Sequence, residues 1–184
     1  VYLLVDMHHI IADGLSIVIF KRELAALVQG QTLAPLETRY LDYAAWQTER
    51  GLDARFRRQE DYWLRVFDGE VPVLDIPVDI PRPEVKRFTG KTLPIPMEAT
   101  LAAALRDLAR ERDVTLFMLL MAAFNVFLGK LGGQEDIVVG TPVAARGHAA
   151  LEGIIGMFVN TLPLRYCHRP DRPFHEFLDQ VRRT

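Results

Sequence analysis

The sequence predicts an α/β fold, and three stretches carry that expectation. Val1-Tyr2-Leu3-Leu4-Val5 is an apolar, β-branched run of the kind found in buried strands. Leu15 to Gln29 repeats Leu, Val, Ile and Ala at helical spacing, so a strand feeds a helix across a short turn. Asp136-Ile137-Val138-Val139-Gly140-Thr141-Pro142-Val143 reads as a second strand running into a loop, with amphipathic helices between the two. With 49% hydrophobic and 25% charged residues, 184 residues are enough to bury a full core. The chain starts at Val1, inside what reads as the middle of a strand, so it is expected to be a piece of something longer.

The totals exclude several classes. A formal charge of −2, with no Lys/Arg run, argues against a protein that tracks nucleic-acid phosphates. The lone Cys167 cannot form an internal disulfide, which fits a reducing cytoplasmic location. No signal segment opens the chain, and the apolar stretch Leu116 to Leu128 is too short to span a bilayer, so no membrane partner is expected. There is no Gly-rich phosphate loop, no Cys/His cluster and no Gly-x-Ser-x-Gly elbow, so no nucleotide, metal or serine-hydrolase site is expected.

Each element has a local reason. In the first helix, Leu15, Val18, Ile19, Leu24, Leu27 and Val28 form the expected core stripe, with Lys21, Arg22 and Glu23 outward and Gly30 as the stop. Tyr40 to Arg50 reads as a short helix ended by Gly51, with Tyr43 and Trp46 as packing residues. Asp53 to Asp68 predicts a third helix, packing through Phe56, Trp63, Val66 and Phe67 and exposing Arg55, Arg57, Arg58, Glu60 and Asp61. The four prolines of the segment Val71 to Pro83 exclude a helix there and break any central strand. Thr92 to Met97 follows as an extended or edge strand, then a helix striped by Leu101, Ala104, Leu105 and Leu108.

Thr115 can cap a helix over Leu116 to Leu131 that is apolar on nearly all sides and therefore expected to be buried over most of its surface, and Gly132-Gly133 ends it. Ala144 to His148 is a loop, and Pro173 suits the first turn of a last helix reaching Arg183. His148, His168 and His175 match no metal spacing and are given surface or packing roles.

The stretch with chemical content is Met7-His8-His9-Ile10-Ile11-Ala12-Asp13-Gly14, two imidazoles, a carboxylate and a glycine in one turn. Strand alternation puts His9 on the face of Val1, Leu3 and Val5 and His8 on the other, which disfavours chelation. One ring can then meet a reacting group while the other is held in the protein body, and the pattern leaves open which. Asp13 is also a natural N-cap for the helix beginning near Leu15.

This turn resembles the His-His-x-x-x-Asp-Gly signature of the condensation domains of nonribosomal peptide synthetases. Tyr40-Leu41-Asp42-Tyr43-Ala44-Ala45-Trp46-Gln47 is similar to a second block of that family, and Ile155-Gly156-Met157-Phe158-Val159-Asn160-Thr161-Leu162 to a third. The resemblance implies a chloramphenicol acetyltransferase-like two-lobe fold, with only part of each lobe present: residues 1–80 from the amino-terminal lobe and 81–184 from the carboxy-terminal one, joined through the proline-rich crossing. Family domains are well over twice this length, so the piece alone is expected to be inactive.

The same resemblance implies an amide-bond-forming acyltransferase. The amine of a carrier-bound aminoacyl thioester attacks an upstream acyl or peptidyl thioester, each substrate riding on a 4'-phosphopantetheine arm, with no cofactor bound directly. Upstream and downstream peptidyl carrier domains and an adjacent adenylation domain are the implied partners. His9 carries over as the catalytic histidine with His8 in support, and Asp13 as the residue that pairs with an arginine of the other lobe, for which Arg146 stands in the matching place. Gly14 is expected to let the chain reverse, and the Asn160 amide to contact substrate or, alternatively, a structural turn. The rivals are a coenzyme A-dependent acyltransferase of the same superfamily and a non-catalytic, partner-recruiting condensation-like module. An epimerization domain is disfavoured by the Phe158 to Thr161 block, and a cyclization domain by the intact histidine pair.

Overall fold

The computed structural model describes residues 2–50, 54–81, 83–85 and 87–184, excluding the side chains of Arg50 and Arg55. The expectations for Val1, for Gly51 as a helix stop, for Asp53 as a helix start, for the Arg55 side chain and for Arg82 of the crossing lie outside the described residues. Along the chain come α1 (Gly14–Val28), α2 (Tyr40–Arg50), α3 (Ala54–Val66), α4 (Ala99–Glu111), α5 (Leu116–Gly132), β1 (Asp136–Val143), a 3-10 turn (Ala149–Leu151), β2 (Asn160–Cys167) and α6 (Phe174–Arg183). β1 and β2 pair in a two-stranded sheet, the one sheet among the described residues. None of the described helices is long and apolar enough to cross a membrane by itself.

Local signals place the helix ends. Asp13 caps α1, its Oδ1 accepting from the Ser16 N–H at 2.8 Å, and Gly30 follows the helix with φ +75. Thr115 caps α5 by accepting from the Met118 N–H at 3.2 Å, and Gly133 closes it in the left-handed region. α6 begins one residue later than expected, with Pro173 as its N-cap.

The chain divides by contacts into two compact units. In the unit formed by Glu70–Val139 and Pro163–Thr184, α5 packs against α4 and α6. Leu119, Met121 and Ala122 of α5 meet Ala109, Tyr166, Phe177, Leu178 and Val181 in its core, with Leu105 and Leu108 at the margin. Asp136 and Arg165, one on each strand, form a forked ion pair with Nη2 to Oδ2 at 2.6 Å. The described residues of the proline-rich segment form neither helix nor strand, as expected, and the Gln134 side chain clasps it: Nε2 donates to the Val73 carbonyl and Oε1 accepts from the Asp75 N–H, both at 2.9 Å. His168 stacks edge-on against Phe177, a packing role.

The other unit comprises Val1–Gly69 and Gly140–Leu162. Its apolar core joins Leu151, Ile154 and Phe158 to Tyr40 and Tyr43 of α2. Trp46 has its ring 5.9 Å from that of Tyr43, yet it stays 44% exposed and lines an open groove of about 280 Å³ with His148 and Leu151.

Several expectations are corrected. Residues 2–8 form no strand, and Tyr2 and Leu4 are fully exposed, because no described strand offers them a ladder. Residues 92–97 likewise form no strand. The α1 stripe is buried at Ile19 alone; Leu15, Val18, Leu27 and Val28 face outward, and so do Phe56 of α3 and Leu101 of α4. α5 is buried on one face, while Phe117, Leu120, Phe124, Phe127 and Leu131 are exposed on the rest. Apolar composition therefore marks which surfaces can be covered, and contact decides which are.

Candidate functional site

The site is built around the N-terminus of α1. The chain turns at His8 to Ile11, where the His8 carbonyl accepts from the Ile11 N–H at 3.1 Å. His8 Nδ1 accepts from the Ile10 N–H, also at 3.1 Å, so the neutral ring carries its proton on Nε2. Both histidines are exposed. The expected division, with one imidazole held in the protein body, is therefore corrected, since a turn rather than a paired strand sets their directions. Ala12 and Asp13 then plunge into the interior.

Asp13, only 4% exposed, is the hub. Oδ1 accepts from the Ser16 N–H and from the Ser16 hydroxyl, each at 2.8 Å, and Oδ2 accepts from the Phe158 N–H at 3.1 Å. Arg146 Nη2 donates to both carboxylate oxygens, at 3.1 and 3.3 Å. The other guanidinium arm, Nη1, donates to the carbonyls of Leu151 and Ile154. The guanidinium carbon sits 4.0 Å from the centroid of the Phe158 ring, a cation–π contact in a desolvated setting. Arg146 Nε is buried without a partner among the described residues.

Electrostatics follow from these donors. Burial by itself would raise the Asp13 pKa, but the Ser16 N–H and hydroxyl, the Phe158 N–H and the Arg146 charge outweigh it and hold the carboxyl at about 2. Asp13 is thus a permanent anion at neutral pH and no acid or base. Its chemistry is to hold.

The segment that supplies the Phe158 N–H is fixed sterically as well. A Cβ on Gly156 would lie 2.2 Å from Cδ2 of Tyr40, so only glycine lets that ring lie against the backbone. Tyr40 in turn donates its hydroxyl to the Met157 carbonyl at 2.8 Å and meets Phe158 edge-on. The second and third sequence blocks are therefore one packing unit around the first.

Of the residues read from the sequence, the structure joins Asp13 and Arg146. Both readings of Asp13, as helix cap and as arginine partner, hold at once. Gly14 is corrected: it is the first residue of α1, outside the left-handed region, with open space where a Cβ would go, so it reverses nothing here. Asn160 is exposed at the start of β2, its Oδ1 accepting from the Thr161 N–H at 2.8 Å, and it makes none of the bonds around Asp13. Sequence reasoning missed Ser16, Tyr40 and Gly156. The spacing Asp13-Gly14-Leu15-Ser16, a cap followed by a hydroxyl three residues on, is the signal that could have found the first. Among the described residues, no group of three His, Cys, Asp or Glu side chains is placed to hold a metal.

Comparison with known proteins gives a consistent result. The family model described as the condensation domain matches residues 1–184. Surfactin synthase subunit 1 of Bacillus subtilis (strain 168) is 47% identical over 182 residues, which are 99% of this chain and 5% of that protein. Tyrocidine synthase 3 of Brevibacillus parabrevis is 48% identical over 179 residues, 97% of this chain and 3% of that protein. Among solved structures, the X-domain in its complex with OxyB from teicoplanin biosynthesis matches with TM-score 0.85 and 28% identity over 96% of this chain and 41% of that one. Holo-AB3403, a four-domain nonribosomal peptide synthetase, matches with TM-score 0.81 and 26% identity over 96% of this chain and 14% of that one.

Proposed function

The chain belongs to the condensation domain family, and on that premise we propose that it is part of a peptide-bond-forming domain of a nonribosomal peptide synthetase. The assignment of residues 1–80 and 81–184 to two lobes of a chloramphenicol acetyltransferase-like fold belongs to the same proposal, as does a cytoplasmic location. The substrates are an acyl or peptidyl thioester and an aminoacyl thioester, both borne on phosphopantetheine arms of carrier domains, with an adenylation domain as neighbour.

One observation carries the reading: an intact His8-His9 turn stands free directly ahead of an Asp13 locked by Arg146, Ser16 and Phe158. In the reaction, the acceptor amine adds to the thioester carbonyl, the C–N bond forms and the C–S bond breaks. The amine's surplus proton ends on the departing thiolate. His9, which is exposed, accepts or relays that proton or orients the amine in this reading, and His8 supports the turn through its Nδ1. Orientation can supply roughly 7–11 kcal/mol of a barrier, whereas proton transfer by a side chain supplies roughly 10²–10⁴-fold in rate, so positioning is the larger contribution. Asn160, exposed at the start of β2, is retained as a candidate substrate contact, and Gly14 only as part of the motif.

The test uses the complete condensation domain carrying this chain, given carrier-loaded donor and acceptor. Dipeptidyl carrier product that falls about a hundredfold in His9→Ala supports the reading; equal product from both removes it. The 184-residue chain alone, which spans 5% of Surfactin synthase subunit 1, is expected to make none. A second reading, a partner-recruiting module without catalysis, is favoured by the likeness to the X-domain that was solved with OxyB bound. Absence of product together with capture of a synthetase-associated enzyme would select it.

A further inference from the structure

We infer that Ser16 is a positioning residue of the proposed condensation reaction: through Asp13 and Gly156, its hydroxyl holds the helix behind the His8-His9 turn in register with residues 156–158. The inference rests on the functional reading above, in which Ser16 serves only as a bond to Asp13, and gives that residue a part in the reaction itself.

Ser16 is fully buried, and its hydroxyl is saturated. Oγ lies 2.8 Å from Asp13 Oδ1 and 2.8 Å from the Gly156 carbonyl, the two acceptors that share its one proton. It accepts from the Gly156 N–H at 3.0 Å and from Arg146 Nη2 at 3.3 Å, which uses both lone pairs. A methyl group in its place leaves the Gly156 N–H without an acceptor and the Gly156 carbonyl without a donor, both inside the protein.

The partner strand of backbone cannot drift to compensate. Gly156 is pressed against the Tyr40 ring, and the next carbonyl, that of Met157, is held by the Tyr40 hydroxyl at 2.8 Å. A loss at Ser16 is therefore absorbed on the other side, by Asp13 and the first turn of α1. Only Ala12, itself buried, separates Asp13 from the His8 to Ile11 turn, so a shift of the cap reaches the imidazoles. Displacement of an orienting group by a fraction of an ångström acts on the chemical step more than on substrate binding.

The experiment measures kcat and acceptor KM for the complete condensation domain with carrier-loaded substrates, in wild type, Ser16→Ala, Ser16→Cys and His9→Ala, with a thermal melt of each. The expected result is a graded kcat, Ser above Cys above Ala, with Ser16→Ala down roughly tenfold and KM within about twofold, since the thiol is a weak donor at the same position. A kcat within twofold of wild type in either folded variant, or a loss confined to KM, overturns the inference and leaves the functional reading standing as long as His9→Ala is impaired. If neither variant folds, Ser16 serves folding alone and the inference falls. A wild-type domain that forms no product removes both.

Discussion

His8-His9 and Asp13-Ser16 lie within one stretch of nine residues and could hardly differ more. The first pair is exposed, and its rings make one described hydrogen bond between them, from the Ile10 N–H to His8. The second pair is 4% and 0% exposed and binds Arg146, Gly156 and Phe158, residues 130 or more positions away in sequence. The lesson is that one signature encodes two jobs. Its carboxylate end spends its bonding capacity on the fold, which leaves its imidazole end free to meet a substrate.

The contrast breaks most sharply at Arg146. Arg146→Ala leaves the Asp13 carboxylate buried and unpaired, for an expected loss of about 3–5 kcal/mol in urea unfolding. A loss under about 1 kcal/mol would mean that the pair is relaxed in solution. Acid gives the same information without mutation. Because the folded-state pKa of Asp13, about 2, lies below the ordinary aspartate value of 3.8, its contribution is fully present above about pH 4 and is lost as pH falls through about 2. In Asp13→Asn that part of the acid dependence should be missing from a stability curve measured between pH 5 and 2.

A smaller effect sharpens the steric half of the argument. Gly156→Ala forces a methyl into the Tyr40 ring and should cost about 1–3 kcal/mol, with part recovered in Tyr40→Ala, Gly156→Ala. Equal costs in both backgrounds would show that Tyr40 is not the obstacle. Smallest of all, His8→Ala and His9→Ala should each change stability by no more than about 0.5 kcal/mol, as exposed residues do, while His9→Ala lowers product formation. A large destabilisation by either would place the imidazoles in the fold after all.

How much of this was legible in the sequence depends on range. The cap at Asp13, the cap at Thr115, the left-handed stop at Gly133 and the bounds of β1 are local, and each was readable from a few neighbouring residues. The Asp13 to Arg146 pair came only through the resemblance, since nothing in spacing joins positions 133 apart. The Ser16 to Gly156 bonds, the fit of Gly156 under Tyr40 and the Asp136 to Arg165 fork were invisible for the same reason. Residues 2–5 and 92–97 taught the converse. Strand-like composition states a preference, and a ladder needs a partner that the described residues do not provide.

The histidine turn is held only if the buried carboxylate and guanidinium behind it are one energetic unit. A double-mutant cycle of Asp13→Ala and Arg146→Ala, read by equilibrium urea unfolding, measures that directly. We expect a coupling of about 2–3 kcal/mol, with the double variant far less damaged than the sum of the singles. Single-variant losses that simply add, within about 0.3–0.5 kcal/mol, would contradict it.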